Sequence, residues 1–222
     1  ALLGDNGAGI STLIKALSGV HQPTSGKILV DGNETKFNSP RDASEVGIGT
    51  VYQDLALNSL TSVTRNFFLG RELKFGKGPF GILKMQKMHN IAIEEMAKIG
   101  IKIEDPEQPV GTMSGGQRQC VAISRAAGWG SKLIVMDEPT AALGIQETKK
   151  VEEIIKNLKE RDIPVIIISH NLRQVFDLVD KIAVFRQGRI IDIVKTNEVS
   201  GNDVVALITG LDKKNRAVGE YI

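Results

Sequence analysis

Residues 2–12 read LLGDNGAGIST. A short apolar run ends in Gly4, a turn passes through Asp5, Asn6, Gly7 and Ala8 to Gly9, and Ser11-Thr12 open a segment of helical spacing. This is the layout of the loop G-x-x-x-x-G-K-[ST], which joins a buried strand to a helix and turns successive backbone N–H groups toward phosphate oxygens. Glycines let the backbone approach closely, and the helix brings the positive end of its dipole. The Ser11 hydroxyl suits a Mg²⁺ ligand. Ile10 stands where the pattern has lysine. Only three residues precede Gly4, so most of the strand feeding the loop is expected upstream, in a longer chain.

Outward from the loop, Leu13, Ile14, Leu17 and Val20 repeat at helical spacing, with Gly19 near a stop. KILVDGNETKF (27–37) reads as a hairpin turning at Asp31-Gly32, and Ser39-Pro40 as a helix N-cap and first position. GIGTVYQ (47–53) reads as a strand ending on Gln53. Strand signals then vanish. SVTRNFFLGREL (62–73) and KMQKMHNIAIEEMAKIGI (84–101) read as helices around a Gly-rich stretch at 76–81, and Pro106 and Pro109 close the region. Farther on, apolar strands at 133–138 and 164–170 alternate with helical stripes at Val151, Ile154, Ile155 and Leu158 and at Leu172, Val175, Phe176 and Val179. A hairpin at 181–193 turns on Gln187-Gly188, and Ser200 with Asp203 forms a capping box for a last helix. The alternation predicts an α/β fold with a mostly parallel sheet, antiparallel hairpins and an inserted helical lobe. The core covers 1–53 and 113–222 and the lobe 54–112.

The 222 residues are 41% hydrophobic and 24% charged, with a formal net charge of +2. No basic field dominates, which argues against a nucleic-acid partner. A single cysteine, Cys120, excludes an intrachain disulfide and a multi-cysteine metal site. The longest apolar runs, such as VIII at 165–168, fall far short of the roughly 18 residues a membrane span needs.

LIVMDEP (133–139) ends a buried strand in two carboxylates. Asp137 is placed to hold Mg²⁺, directly or through water, and Glu138 to orient or deprotonate an attacking water. A charged strand end facing solvent is the plainer alternative, and the glycine loop argues against it. MSGGQRQCVAISRAA (113–127) decides the matter. Ser114-Gly115-Gly116-Gln117 opens a helix whose free N–H groups form a second anion-binding surface.

This segment resembles the signature motif of ATP-binding-cassette (ABC) ATPases, and the order of phosphate loop, Gln53, signature, acidic strand and His170 is that family's order. The resemblance implies that Gly4, Asp5, Asn6, Gly7, Ala8, Gly9, Ile10, Ser11 and Thr12 cradle the phosphates of ATP. It implies Ser11 and Asp137 on Mg²⁺, Gln53 on Mg²⁺ or the attacking water, Glu138 as general base and His170 on the γ-phosphate, with Gln53 also sensing a membrane partner. Ser114, Gly115, Gly116 and Gln117 then act in trans, in a head-to-tail pair of ATPase chains burying two ATP molecules. EPTAALG (138–144), with Gly144 where an aspartate is usual, and SHNLRQVFDLVDKIAVFRQGRII (169–191) are similar to ATPases of bacterial ribose-, xylose- and fructose-type importers. That likeness implies transmembrane permease subunits as partners, a periplasmic or extracellular sugar-binding protein indirectly, and a peripheral place on the cytoplasmic face of the membrane.

Chromosome and DNA-repair ATPases of the same family carry coiled-coil or zinc-bearing insertions, whereas 54–112 holds neither heptads nor CxxC. A regulatory subunit that binds ATP without hydrolysing it stays open because of Ile10, whose side chain is expected to sit against phosphate oxygens. Lys15, one turn further on, is expected to point away. Leu55, Leu57, Leu60, Phe67 and Phe68 are expected to contribute an apolar docking patch beside Gln53. His21 and His89 read as ordinary surface residues.

Overall fold

In the computed structural model the described residues are 1–76, 81–130 and 132–211. The chain opens with β1 (Leu2–Gly4), α1 (Ile10–Leu17), the hairpin β2 (Ile28–Val30) and β3 (Asn33–Thr35), α2 (Pro40–Glu45) and β4 (Ile48–Val51). The lobe region carries α3 (Val63–Phe67), β5 (Lys74–Phe75), β6 (Ile82–Leu83) and α4 (Met85–Lys98). Then come α5 (Gly115–Trp129), β7 (Leu133–Asp137), α6 (Ile145–Glu160), β8 (Val165–Ile168), α7 (Leu172–Leu178), β9 (Lys181–Arg186), β10 (Arg189–Lys195) and α8 (Gly201–Thr209).

A six-stranded sheet runs in the order β10-β9-β1-β8-β7-β4. All its pairings are parallel except β9 with β10. Strands covered on both faces read as unbroken apolar runs, and Ile134, Val135 and Met136 of β7 are each 0% exposed. Helices cover the sheet through apolar stripes; Val151, Ile154, Ile155 and Leu158 of α6 are all buried. Because β1, β4, β7 and β8 run the same way, their C-terminal ends lie along one edge. The glycine loop, Gln53, Glu138 and His170 follow those ends, and Asp137 is the last residue of β7.

Several local expectations change. α1 stops at Leu17, because the chain turns at Gly19 with φ 73°, so Val20 is left exposed. A Cβ at Gly19 would lie 2.3 Å from the Ser39 carbonyl oxygen. The helix expected over 62–73 is only α3: Phe68 caps it, and the Arg71 N–H bonds back to the Phe68 carbonyl, which turns the chain out. α4 ends at Lys98, where Ile101 N–H reaches Met96 O and Gly100 takes φ 83°, a left-handed helix stop. Strand structure does not vanish after 53, since β5 and β6 pair antiparallel. Within the Gly-rich stretch at 76–81, residues 77–80 lie outside the described residues.

The lobe shares one hydrophobic cluster with the sheet. α5 spans the two, and Cys120, Ile123 and Ala126 join Phe67, Phe68, Met88 and Met96 to Val51, Ile134 and Met136. Phe67 and Phe68, 1% exposed each, pack against Trp129 at 5.5 Å between centroids, tilted by 45° and edge-on at 73° respectively. They therefore fill the interior rather than a docking surface. Leu55 and Leu57 pack against the same cluster, and of the expected patch only Leu60 stands out, 88% exposed.

Candidate nucleotide site

The glycine loop is shaped by contacts on both sides. A Cβ at Gly4 would lie 2.6 Å from the Phe185 carbonyl oxygen, and Gly9, the N-cap of α1, sits at φ 100°. No side chain caps α1. Its first bond runs from Leu13 N–H to Gly9 O, so the N–H groups of Ile10, Ser11 and Thr12 have no intrahelical partner. The helix start is thus left as an anion site. Gly188, in the β9–β10 turn, donates its N–H to Ala8 O at 2.9 Å and fastens the loop from behind. Sequence reading missed this brace, because the turn residues suit any tight hairpin.

Gly4 to Thr12, Gln53, Asp137, Glu138, Ile168 and His170 line one cleft of about 330 Å³. Four segments far apart in the chain supply it, as the parallel sheet requires. Glu138 holds an unusual backbone, φ 50°, with its N–H bonded to Ile168 O at 2.9 Å. Its Oε1 accepts the His170 N–H at 3.0 Å and lies 3.5 Å from His170 Nε2. Burial pushes the carboxyls of Asp137 and Glu138 above their ordinary values, and the nearby His170 partly offsets it.

Ser11, Gln53 and Asp137 bring hydroxyl, amide and carboxylate oxygens to this cleft. Among the described residues no group of three or more His, Cys, Asp or Glu is arranged to hold a metal alone. That donor set fits Mg²⁺, which takes one or two protein carboxylates and completes its shell with water and substrate phosphates.

Ile10 lines the cleft but also packs on the cluster of Leu2, Ala8, Ile14, Val135, Ile168 and Phe185. Its side chain thus borders the cleft and is also partly packed into the core. Among the described residues no lysine or arginine lines the cleft, and Lys15 is exposed outside it. Ser114, Gly115, Gly116 and Gln117 do not reach this cleft. Ser114 Oγ accepts the Gln117 N–H at 3.2 Å and Gln117 Oε1 the Ser114 N–H at 2.8 Å, a capping box that fixes the start of α5. Gly116 is packed under α6, where a Cβ would lie 2.3 Å from Glu147 Cγ.

Two features beyond the cleft were not legible. Arg125 of α5 donates to Leu55 O and Ala56 O, both at 2.9 Å, clamping the segment just after Gln53. His89 is not an ordinary surface residue: its ring is only 17% exposed and pairs with Glu107. His21 is exposed, as expected.

A parallel sheet whose edge gathers a phosphate loop, an acidic strand end and a histidine defines a P-loop nucleoside-triphosphatase core. The chain belongs to the ABC transporter family, whose model matches residues 1–141. The fructose import ATP-binding protein FrcA of Rhizobium meliloti is 42% identical over 221 residues, covering 97% of this chain and 85% of that protein. The xylose/arabinose import ATP-binding protein XylG of Sulfolobus acidocaldarius is 41% identical over 220 residues, covering 99% and 86%. Among solved structures, CbiO1 of Clostridium perfringens, part of the ABC transporter complex cbiONQ, superposes with TM-score 0.73 at 27% identity, covering 96% of this chain and 82% of that one. Among the described residues no helix is long and apolar enough to cross a membrane.

Proposed function

We propose that this chain is the ATPase subunit of a sugar importer. The observation that carries the reading is the single cleft in which Gly4 to Thr12, Gln53, Asp137, Glu138 and His170 meet. Similarity along nearly the whole chain to sugar import ATP-binding proteins supplies the substrate class. ATP phosphates sit on the N–H groups opening α1. Ser11, Gln53 and Asp137 would hold Mg²⁺, which when bound would neutralise charge on the phosphate oxygens. Glu138 takes the proton of a water as its oxygen bonds to the γ-phosphorus, and the bond to the ADP oxygen breaks. His170 holds Glu138 in place and contacts the γ-phosphate.

The signature residues Ser114, Gly115 and Gln117 are exposed, with Gly116 packed beneath them, and the segment serves the nucleotide of a second copy, head to tail. The core, 1–53 and 113–222, carries the chemistry, and residues 54–112 face the permease at the cytoplasmic side of the membrane. The Arg125 clamp on Leu55 and Ala56 supports that coupling, because it ties the segment after Gln53 to the signature helix. A sugar-binding protein outside the membrane acts only through the permease.

A second reading, ATP binding without hydrolysis, is favoured by the cleft's lack of a lining lysine or arginine among the described residues. Phosphate release separates the two. Losing one preorganised donor at developing charge slows turnover by about 10²–10³, so Ile10→Lys in the whole protein should raise hydrolysis by at least about tenfold. Glu138→Gln should abolish the gain. An Ile10 form already as fast as the lysine form refutes this account of the loop.

A further inference from the structure

Gln174 is a buried amide, 3% exposed, that the nucleotide cleft does not contain. It is the third residue of α7, whose N-cap Asn171 accepts the Gln174 backbone N–H. Its side chain turns inward. Oε1 accepts the hydroxyl hydrogens of Thr140 at 2.9 Å and Ser169 at 3.3 Å. Nε2 donates to Glu152 Oε1 of α6 at 3.1 Å. Ser169 Oγ also accepts the Asn171 N–H at 3.2 Å, so the hydroxyl is used twice. Ser169 immediately precedes His170, and Thr140 lies just after Glu138 and Pro139.

One amide therefore ties together the loop after β7, the loop after β8 and the helix α6 behind them. Only an amide suits all three partners. Its oxygen takes two hydroxyls, and its nitrogen meets a carboxylate that can only accept. A carboxylate at 174 would keep the hydroxyls but face Glu152 with like charge. Leaving buried polar groups unpaired costs free energy, so the arrangement holds the two loops at one separation. Glu138 lies next to both anchors, two residues before Thr140 and with its N–H on the carbonyl of Ile168, the neighbour of Ser169, in a left-handed backbone that its surroundings must enforce.

We infer that Gln174 is a positioning residue: it fixes the spacing of the Thr140 and Ser169 loops and so the placement of Glu138 against His170. The inference rests on the hydrolytic reading above. The test uses Gln174→Glu, Gln174→Ala, Glu152→Gln and the double variant Gln174→Glu/Glu152→Gln. All are made in the whole protein, with and without Ile10→Lys. The double variant reverses donor and acceptor and restores the bond.

In the Ile10→Lys background, Gln174→Glu should lower kcat by about 10- to 100-fold, the scale of a misplacement of about 1 Å. Gln174→Ala, which removes all three bonds, should lower it at least as far. KM for ATP should stay within about twofold, because the phosphate loop is untouched. The double variant should recover most of kcat, and Glu152→Gln, which keeps an acceptor, should stay near the parent. Amide exchange read by mass spectrometry should rise in 138–143 and 169–172 for Gln174→Glu and fall back in the double variant, whether or not Ile10→Lys is present. Unchanged exchange, unchanged kcat, or a double variant no better than Gln174→Glu overturns the inference. If the Ile10→Lys form shows no Glu138-dependent turnover, the functional reading fails and the catalytic part of this inference with it. The exchange measurement then still decides whether Gln174 locks the loops.

Discussion

Replacing Ile10 by lysine should move two quantities in opposite directions. Ile10 is half-buried on a cluster formed by Leu2, Ala8, Ile14, Val135, Ile168 and Phe185. Full burial of such a side chain stabilises by about 1.5–3 kcal/mol, so this partial burial is worth on the order of 1–2 kcal/mol. Lysine keeps part of that contact through its methylenes but must bring its ammonium out into the cleft. Stability should therefore drop by up to about 1 kcal/mol, or roughly 2–4 °C in Tm for a chain of this size. Nucleotide affinity should rise. Among the described residues the cleft gains a lining ammonium where none lined it before, and an ionic hydrogen bond to phosphate contributes about 1.5–3 kcal/mol. At about 1.4 kcal/mol per tenfold, that is a roughly 10- to 150-fold tighter Kd. Titration with a fluorescent ATP analogue reads the second quantity and a thermal melt without nucleotide the first. Equal affinity in the two forms would refute the argument, since backbone N–H groups alone would then suffice. A melt unchanged or raised would show that the apolar contact of Ile10 contributes nothing.

Other expectations follow from single contacts. Gly4→Ala puts a Cβ 2.6 Å from the Phe185 carbonyl oxygen, so it should destabilise the β1–β9 pairing by about 1–3 kcal/mol in urea unfolding. Leu158→Ala empties a site that is 0% exposed and should cost about 2–5 kcal/mol by the same measurement. Asp203 is held below the usual carboxylate range, first by the Ser200 hydroxyl and then by the Ser200 N–H. A lowered folded value means its stabilisation is present above the unfolded carboxyl value and lost as pH falls through the folded one. Ser200→Ala should therefore lower Tm more at neutral pH than at strongly acidic pH, where only the cap bond from the Asp203 N–H to the Ser200 hydroxyl is lost; an equal loss at both would contradict the assignment.

The parts read correctly from sequence depend on neighbours along the chain. The glycine turn, the Ser39 and Ser200 caps, the Asp31-Gly32 and Gln187-Gly188 turns and the apolar stripe of α6 are each decided within a few residues. The candidate cleft was legible for a related reason. Once strands and helices alternate, parallel pairing puts every strand's C-terminal end on one edge, so Gly4, Gln53, Asp137 and Ser169 had to meet near it. Misreadings occurred where a side chain could face either of two places. Phe67 and Phe68 suit an exposed patch as well as an interior, and a packing partner, Trp129, settled them inward.

The sequence by itself determined the α/β alternation, the layout of the glycine loop, the acidic strand end and the family, because these are carried by spacing and residue type. Only the tertiary structure decided that Ile10 lies half in the core, that Gly188 braces the loop through Ala8, and that Gln174 joins Thr140, Ser169 and Glu152. Each of these joins residues far apart in the chain. Their meeting depends on strand order and helix placement, which come from burying the whole apolar surface at once rather than from any local pattern.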